Sequence, residues 1–472
     1  MGNKSLSHSV FGLHIPIFCA ALLGEISTVS AQEWSFGWDW QVGIESSQSR
    51  ETSFNSNTSQ GDSSQYHSQS QSQSQSQSQS LNALLDLEVG YKNWLGLFAI
   101  KGNDLWFERS LDANSSQYPP EPDPEAEFII QELFWQGGVE VSNTLFGDHY
   151  LDLALGKIRL DWGVGYGYRP LDIIKLYRQN PVGIVAEEGA GIASISLFDT
   201  SGEWTLLYSD SSWTSQSVNE FESANAQQGV GIRRYNMVGE HEYQWLAYYD
   251  DVRHGLVGAS LVSVLNLAWE FHGSMVYQRQ SVGYQLPSSV YLPVELGEQG
   301  DALQALLGLT WANEVGHNVV LEYWFDSRAW SDSDWNEAQG NAKSLTGQSQ
   351  TEMLGLSYGQ GFQHANIVEH NLMFHWSLDS SAWAQIFSGS SDNVTASVFD
   401  WLDNLTPTFD LIYAPQDGGI IATQWLNYQL SDTGESSIDL ELAARFLAGK
   451  HDSAYANLPE SHMILLNIKG RF

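Results

Sequence analysis

The feature that most constrains the fold of this chain is a two-residue alternation of apolar and polar side chains. In the segment 81–91 every odd-numbered residue is apolar, while Asn82, Asp86 and Glu88 lie on the opposite face, where Leu84 is the exception. The same pattern recurs in the segments 303–311, 319–326 and 439–446. Because successive side chains of a strand point to opposite sides, these segments predict strands with one apolar face. Such strands are typical of membrane-spanning β-structure, although a soluble β-sandwich also alternates.

The first 31 residues have the pattern of a cleavable export signal. Lys4 precedes an apolar stretch at 10–24, and small residues at 29–31 form a cleavage site. After this signal no stretch approaches the roughly 20 apolar residues that a membrane helix needs. We therefore predict a signal peptide at 1–31 and a mature chain at 32–472 that is exported to the periplasm, to the exterior, or into an outer membrane as a barrel.

The composition excludes several classes of protein. With 56 acidic and 20 basic residues the net charge is −36, and a nucleic-acid binder needs the opposite balance. The apolar share of 42% is too high for a disordered acidic chain. The only cysteine, Cys19, lies inside the predicted signal, so the mature chain has neither a disulfide framework nor a cysteine-based metal cluster.

The predicted strands are joined by connections of alternating length. Short turns at 92–93, 200–202 and 313–317 contrast with long polar connections. The long connections are 46–80, 108–127, 161–191, 211–227, 280–301, 327–366 and 448–461. Short turns at one end and long loops at the other are typical of a membrane barrel. We therefore predict an all-β fold, a single transmembrane antiparallel β-barrel of about 18 strands (roughly 16–18), with short periplasmic turns and long extracellular loops.

Some segments of this plan have unusual sequences. A low-complexity Ser-Gln loop at 63–80 should be disordered, because its strict Ser-Gln repeat has no apolar side chain to bury. Residues 118–127 interleave prolines with carboxylates and predict an extended acidic loop. One of the later strands is predicted at 382–391.

The last strand ends on an aromatic residue. Ile464, Leu466, Ile468 and the terminal Phe472 share one face, although Gly470 stands where an aromatic residue is usual. This end resembles the signal that the barrel-assembly machinery of Gram-negative outer membranes recognises. The resemblance implies insertion by that machinery into the cell outer membrane, in contact with its lipids and lipopolysaccharide. Aromatic residues also stand near the ends of other predicted strands, as the interfacial girdles of a barrel require.

The chain's basic residues concentrate in one segment. Lys157, Arg159, Arg169, Lys175 and Arg178 fall within 22 positions of an otherwise acidic sequence. Inside a narrow lumen, such cations would lower the barrier for anions. The alternative is that they pair with carboxylates as structural ladders. Lys157 and Arg159 also share the parity of three preceding leucines, which requires either a bulge near Gly156 or inward-facing leucines.

The same segment resembles the infolded constriction loop of outer-membrane porins. Its W-G-x-G and P-x-D pattern, formed by Trp162, Gly163, Gly165, Pro170 and Asp172, is similar to that of anion- and polysaccharide-conducting barrels related to alginate exporters. The resemblance implies passage of anionic small molecules or an anionic polysaccharide. It also implies pore-lining roles for the following residues: Lys157, Arg159, Arg169, Asp172, Lys175 and Arg178.

Other motifs carry little chemistry. The glycines at 163–167 lack the βαβ context of a dinucleotide site. Residues 355–359 match G-x-S-x-G but lack the α/β context of a hydrolase. Asp332 and Asp334 resemble the start of a calcium loop in which Glu337 replaces the required glycine, so a solvated acidic loop is the better interpretation. No cofactor, metal or catalytic residue is predicted.

Three functions remain open. A channel for small solutes is favoured, because about 18 strands enclose an aqueous lumen, whereas small barrels fill theirs with side chains. A structural, adhesive or partner-binding barrel is the first alternative. An outer-membrane hydrolase is the second, with His370 and His375 as candidates by residue type alone. The prediction is therefore a porin-like channel that is not an enzyme.

Overall fold

A computed structural model describes residues 34–54, 76–110, 125–144, 147–174, 183–214, 220–346, 350–383 and 400–472. The predicted signal, most of the Ser-Gln loop, and Lys175 and Arg178 of the basic segment lie outside these ranges. Eighteen antiparallel strands pair in chain order, and the last pairs with the first, which closes a barrel. The prediction of an antiparallel β-barrel of about 18 strands is confirmed.

Twenty strands and three α-helices lie in the described ranges. The strands are β1 (Trp34–Ser49), β2 (Ser76–Tyr91), β3 (Trp94–Ser110), β4 (Glu125–Thr144), β5 (Gly147–Ile158), β6 (Ala190–Asp199), β7 (Gly202–Asp210), β8 (Gln228–Val238), β9 (His241–Asp250), β10 (Leu256–Asn266), β11 (Trp269–Gln278), β12 (Ser281–Gln285), β13 (Glu295–Gln299), β14 (Ala302–Ala312), β15 (His317–Asp326), β16 (His370–Leu378), β17 (Leu405–Ala414), β18 (Gly419–Asp432), β19 (Ser437–Ala448) and β20 (Glu460–Arg471). The helices are α1 (Glu220–Ala224), α2 (Asp332–Leu345) and α3 (Glu352–Ser357). Strands β12 and β13 form a separate hairpin within a loop.

The connections largely follow the predicted rhythm. The turns between β2 and β3, β6 and β7, and β14 and β15 are short and lie at one end, the short-turn end, where both β1 begins and β20 ends. The loops after β5, β11 and β15 are long and lie at the other, long-loop end. The connection at 379–404 breaks the rhythm, because it is long and lies at the short-turn end.

One predicted strand is misplaced. The strand predicted at 382–391 is wrong for Ala382 and Trp383, which are helical, and 384–391 lie outside the described residues. The barrel position belongs instead to β17, which pairs with β16 and β18. It contains Pro407, a residue that lacks the N–H group of a regular ladder and weakens a strand prediction.

The alternation in the sequence separates the two faces of the wall. On β15, Leu321 is 49% exposed on the outside, whereas Glu322 and Trp324 are buried on the inside. The apolar exception on β2, Leu84, also faces inward, where it joins a small apolar cluster. That cluster contains Leu84, Ala99, Ile129, Ile184 and Ala186. Leu84 is therefore apolar because a loop, not water, covers that part of the inner wall.

Aromatic side chains ring the outside of the barrel near both ends. Exposed tryptophans stand near the short-turn end, and exposed tyrosines stand near the long-loop end. They include Trp34, Trp94, Trp204 and Trp269 at the first, and Tyr208, Tyr249, Tyr277 and Tyr413 at the second. Trp269 and Tyr277 are eight residues apart on β11, about 27 Å along a strand and about 20 Å across a membrane for a tilt of about 40°. No helix in the described ranges is long and apolar enough to cross a membrane.

The C-terminal strand packs as its alternation predicts. Ile464, Leu466 and Ile468 point outward, and the Phe472 ring stacks on Trp38 with 4.6 Å between ring centres. A Cβ atom at Gly470 would lie 2.6 Å from the indole nitrogen of Trp40. Glycine therefore replaces the usual aromatic residue because the neighbouring strand fills that space.

The Ser-Gln repeat is partly ordered. Strand β2 begins at Ser76, so the expectation of disorder is wrong for 76–80, and the remainder of the predicted loop from 63 onward lies outside the described residues. This end of β2 pairs with β1 and β3 on its two sides, and the hydroxyls of Ser47 and Ser78 are 2.7 Å apart. Backbone ladders on both edges satisfy the peptide groups here without any apolar side chain.

Candidate channel constriction

The loop that follows β5, residues 159–189, is called the crossing loop below; its described parts, 159–174 and 183–189, lie against the inside of the barrel. Its first limb is apolar, with Trp162, Leu171, Ile173 and Ile174 buried against the inner wall. The wall residues are Ile192, Leu207, Leu246, Tyr248, Leu256 and Val276, from strands β6, β7, β9, β10 and β11. The first limb therefore has an apolar face of its own. The apolar residues that five strands turn toward the lumen cover that face.

Polar wall residues bind the backbone of the first limb. Gln244 donates to the carbonyl of Trp162 at 2.8 Å, and Gln227 and Arg253 donate to that of Ile173 at 2.7 and 2.9 Å. Irregular backbone inside a barrel has no ladder of its own, so side chains must satisfy its carbonyls. These buried side chains provide the donors that the two carbonyls need.

The tip of the crossing loop reaches the opposite wall. The N–H groups of Tyr166 and Gly167 donate to the two carboxylate oxygens of Glu322 at 2.6 and 2.7 Å. Glu322 lies on β15, which is eight strands from β5 in a barrel of 18, with β6 to β11 and β14 between them. The loop therefore crosses nearly the full diameter of the lumen.

Tyr168 makes a second attachment to the same strand. Its hydroxyl donates to Asp326 at 2.9 Å and bonds Gln304 at 2.8 Å. Burial and then the Asp326 charge raise the pKa of Tyr168 well above its usual value, so this hydroxyl stays a donor. Asp326 also binds Arg328 at 2.7 Å and Asn366 at 2.8 Å, at the two ends of the loop after β15. Asp326 thus connects the crossing loop to the loop after β15.

The return limb of the crossing loop packs elsewhere. Ile184 and Ala186 rest on Leu84 and Ile129, and the N–H of Gly189 donates to the carbonyl of Gln131 at 2.8 Å. The limb therefore lies against β2 to β4, on the wall opposite to Tyr168. The loop is therefore attached to two opposite sides of the barrel.

A carboxylate pair and an arginine shape the bend of the crossing loop. Asp172 accepts the N–H groups of Trp162 and Gly163 at 2.9 and 2.7 Å through one oxygen, Oδ1. Arg169 lies between Asp161, at 2.6 Å, and Asp172, at 3.8 Å. Burial, and then the nearby Asp161 charge, raise the pKa of Asp172 to about 7, against the lowering effect of Arg169 and the two N–H groups.

The described basic residues of this segment are all ion-paired. Lys157 is buried with Glu188 at 2.6 Å, and Arg159 lies 3.6 Å from Glu132 and 3.7 Å from Glu187. Arg169 has the partners given above. Such contacts agree with the alternative interpretation, in which the basic residues pair with carboxylates as structural ladders. Lys175 and Arg178 lie outside the described residues, so their pore-lining role stays a prediction.

The phase of β5 has a simple resolution. Its pairing with β6 runs through Gly156 without a shift of register. Leu155 is 60% exposed on the outside, so the hypothesis of inward-facing leucines is wrong for this residue. Gly156 instead adopts a φ of 142°, which only glycine tolerates easily, and no bulge occurs between β5 and β6 there.

The loop after β15, residues 327–369, covers another part of the wall; it is called the helical loop below. It contains α2 and α3, and its Trp330, Trp335 and Tyr358 are buried. The cluster around them includes Ala414, Ile421, Leu447 and Tyr455, from β17, β18, β19 and the loop after β19. The two inward loops therefore occupy different sectors of the lumen and narrow it together.

One sequence interpretation, the solvated acidic loop at Asp332 and Asp334, is wrong. Asp332 and Asp334 belong to the first turn of α2, where Ser331 and Asp334 form a capping box, so neither a calcium loop nor a solvated acidic loop is present there. Ser357 ends α3, with its hydroxyl donating to the carbonyl of Leu354 at 2.7 Å. The G-x-S-x-G match thus has no strand-turn-helix elbow around it.

The two histidines that were candidates for a hydrolase form contacts with neighbouring residues of the barrel. His375 faces inward, with Nδ1 2.6 Å from Asp410 and its ring 4.3 Å from that of Tyr166. His370 lies against the hydroxyl of Tyr323, 2.8 Å from its Nδ1. Neither geometry is that of a base activating a serine.

Sequence reasoning missed the groups that receive the crossing loop. Glu322 and Asp326 are visible in the alternation of β15 as two carboxylates on its inner face, four residues apart. That spacing places them on the same side of one strand. Nothing in the sequence, however, pairs them with a loop that lies more than 150 residues earlier.

Comparisons with known proteins agree on the architecture. No protein-family model matches the sequence, and no curated protein is similar to it in sequence. Among solved structures, Pseudomonas aeruginosa OccK7 (OpdD) is similar over 94% of this chain and 99% of its own, with 8% identity and a TM-score of 0.50. The two chains therefore share a fold, a closed antiparallel β-barrel. Acinetobacter baumannii OccAB1 is similar over 94% and 97%, with 8% identity and a TM-score of 0.48. Identities this low concern the fold alone, and the resemblance to alginate exporters stays a prediction.

Proposed function

We propose that the protein is a porin-like channel that passes small polar solutes across the outer membrane, and not an enzyme. The observation that supports this most is the crossing loop, which lies inside a barrel of 18 strands and is bonded to β15, eight strands away from β5. We infer that this loop narrows the passage through the barrel. A barrel of that size would otherwise enclose a wide aqueous channel. A purely structural or adhesive barrel has no need of a loop that is bonded to both walls.

The charge preference of the channel depends on which cations face the passage. Lys157 is buried against Glu188, and Arg169 lies between two carboxylates, which offsets its attraction for a permeating anion. Passage of anionic small molecules or an anionic polysaccharide would then depend on Lys175 and Arg178. We propose weak selectivity from Arg169, and anion preference only to the extent that the other two residues face the lumen.

The test is single-channel recording in planar bilayers, with the reversal potential measured across a salt gradient. We expect discrete conductance steps from the wild type. Arg169→Gln should change the conductance and leave the reversal potential within a few millivolts, whereas Lys175→Gln with Arg178→Gln should shift permeability toward cations. Folded protein that gives no steps would contradict the channel. Unchanged selectivity in the double variant would contradict anion preference.

We further propose that the segment 1–31 is removed on export and that the rest, 32–472, forms one barrel domain. The terminal Phe472 is then the assembly signal, and the exposed apolar wall contacts lipids and lipopolysaccharide of the outer membrane. Pulse labelling of the precursor and N-terminal sequencing of the membrane form test this: a mature N-terminus near Gln32 is expected, and a retained Met1 would contradict it.

A further inference from the structure

We propose that Glu322 fixes the width of the passage by holding the tip of the crossing loop against β15. It is therefore a positioning residue, acting through the loop rather than on the solute. The inference rests on the proposed channel function. It depends on three features of the site: the burial of the carboxylate, the number of donors that converge on it, and the closeness of the fit around the tip.

The Glu322 carboxylate is fully enclosed by donors. Its side chain is 0% exposed. One oxygen accepts the N–H of Tyr166 and lies 2.9 Å from Nε2 of His272. The other oxygen accepts the N–H of Gly167 at 2.7 Å. Two successive backbone N–H groups form a concave anion-binding surface, and a carboxylate is a strong acceptor for it. The loop tip is thus built to receive one negative group, which the wall provides.

The tip of the crossing loop packs tightly against the wall. A Cβ atom at Gly167 would collide with the sulfur of Met373 and come within 3.2 Å of the Trp324 ring. Gly165 is also enclosed, because a Cβ there would collide with the carbonyl of Tyr168. A loop that approaches the wall this closely can bury its N–H groups only if the wall supplies acceptors.

Replacing the carboxylate by an amide breaks this arrangement. In Glu322→Gln, one oxygen can still accept an N–H, but the amide nitrogen is a donor and would face the second N–H. A buried donor is then left without an acceptor, which favours conformations in which the tip leaves the wall. Tyr168 still holds the loop to Asp326, so the tip should fluctuate about that point and the passage should change in width with it.

A matched control removes a similar charge without touching either inward loop. Glu441 lies on β19, four strands beyond β15, and its partners Asn467 and Lys469 belong to β20. Glu441→Gln therefore deletes one inner-wall carboxylate and leaves the loop attachment intact. A difference in behaviour between Glu322→Gln and Glu441→Gln is therefore due to the attachment of the loop and not to the loss of one negative charge.

The experiment uses the full-length mature protein and two readouts. Hydrogen exchange followed by mass spectrometry should show at least tenfold faster exchange of the Tyr166 and Gly167 amides in Glu322→Gln, with strand amides unchanged and heat-modifiable folding retained. Single-channel records should split the wild-type level into two or more substates. Glu441→Gln should keep wild-type exchange at the tip and a single level. Glu322→Asp, whose carboxylate is one methylene short, should show a smaller change of the same kind, at least threefold in exchange, and it replaces Glu322→Gln if that variant does not fold.

The outcomes separate the two proposals. A wild type that conducts, together with a folded variant at Glu322 whose tip exchange and conductance levels are unchanged, overturns the role of Glu322 alone. A wild type that folds but does not conduct overturns the channel and, with it, any role of Glu322 in setting its width. Substates in both Glu322→Gln and Glu441→Gln overturn the assignment, since charge alone would then explain them.

Discussion

Asp172→Asn should stabilise the protein at alkaline pH, although it removes a charged partner of Arg169. Both backbone donors, Trp162 and Gly163, bond to the same oxygen of Asp172, Oδ1, and an asparagine can present that oxygen unchanged. The substitution therefore keeps both hydrogen bonds and deletes only a buried negative charge that stands near Asp161. The attraction that is lost, to Arg169, acts over 3.8 Å and is shared with Asp161.

The magnitude follows from the pKa. A pKa of about 7 for Asp172 in the fold, against an ordinary value of 3.8 when unfolded, means that folding favours the protonated form. The destabilisation is absent below the unfolded pKa, grows as the pH rises from about 4 to about 7, and is complete above that, at about 4 kcal/mol. That figure already includes the attraction of Arg169, which lowers the pKa of Asp172. An asparagine reproduces the protonated carboxyl group only in part, so we expect a gain of about 2–4 kcal/mol at pH 8.

The assay is urea unfolding of the barrel in detergent, followed by tryptophan fluorescence, for wild type and variant at pH 4 and pH 8. The difference in unfolding free energy should be near zero at pH 4 and should favour the variant at pH 8. Asp161→Asn is the control, because it removes the exposed partner of Arg169 and leaves Asp172 buried. A variant at Asp172 that is less stable than wild type at pH 8 would refute the reasoning and make the Arg169 contact dominant.

Three other predictions concern separate parts of the chain. Tyr168→Phe should lower the free energy of unfolding by about 1–3 kcal/mol, since Asp326 loses a buried donor and Gln304 loses its contact with the hydroxyl; a change below about 0.5 kcal/mol in urea unfolding would mean that the hydroxyl is not needed. Deleting Phe472 removes its stacking on Trp38 and the predicted assembly signal, so the amount of heat-modifiable barrel in outer-membrane fractions should fall severalfold, and an unchanged amount would argue against that signal. An epitope inserted at Gln71, beyond the outer end of β2, should bind antibody on intact cells, whereas binding only after permeabilisation would reverse the topology.

The sequence predicts the wall well, because one physical rule governs it. Lipid faces one side of every strand and the lumen the other, so period-two patterns such as that of 319–326 assign both faces directly. The rule fails where another factor enters. Leu84 is apolar although it faces inward, because a loop covers it, and no strand is predicted at β17, which contains a proline, Pro407.

The site is less predictable, because it depends on contacts between distant segments. The Gly-rich basic loop could be identified from 155–172, but its attachment to Glu322 requires the closed barrel to place β15 opposite β5. Arg169 has the residue type of a pore cation, yet its effective charge depends on Asp161, eight residues earlier on the same loop. The capping box of α2 was present in the sequence as Ser331 and Asp334, and the helix was missed because the segment was interpreted as an acidic loop.

The central claim is that the crossing loop narrows a conducting barrel. The most direct test compares the single-channel conductance of the wild type with that of a variant in which residues 162–173 are replaced by a short glycine-serine linker, after both are shown to be folded. Because the loop spans the lumen from β5 to β15, the account predicts stable steps from the wild type and severalfold larger steps from the variant. Equal conductance in the two proteins, or no conductance in either, would contradict it.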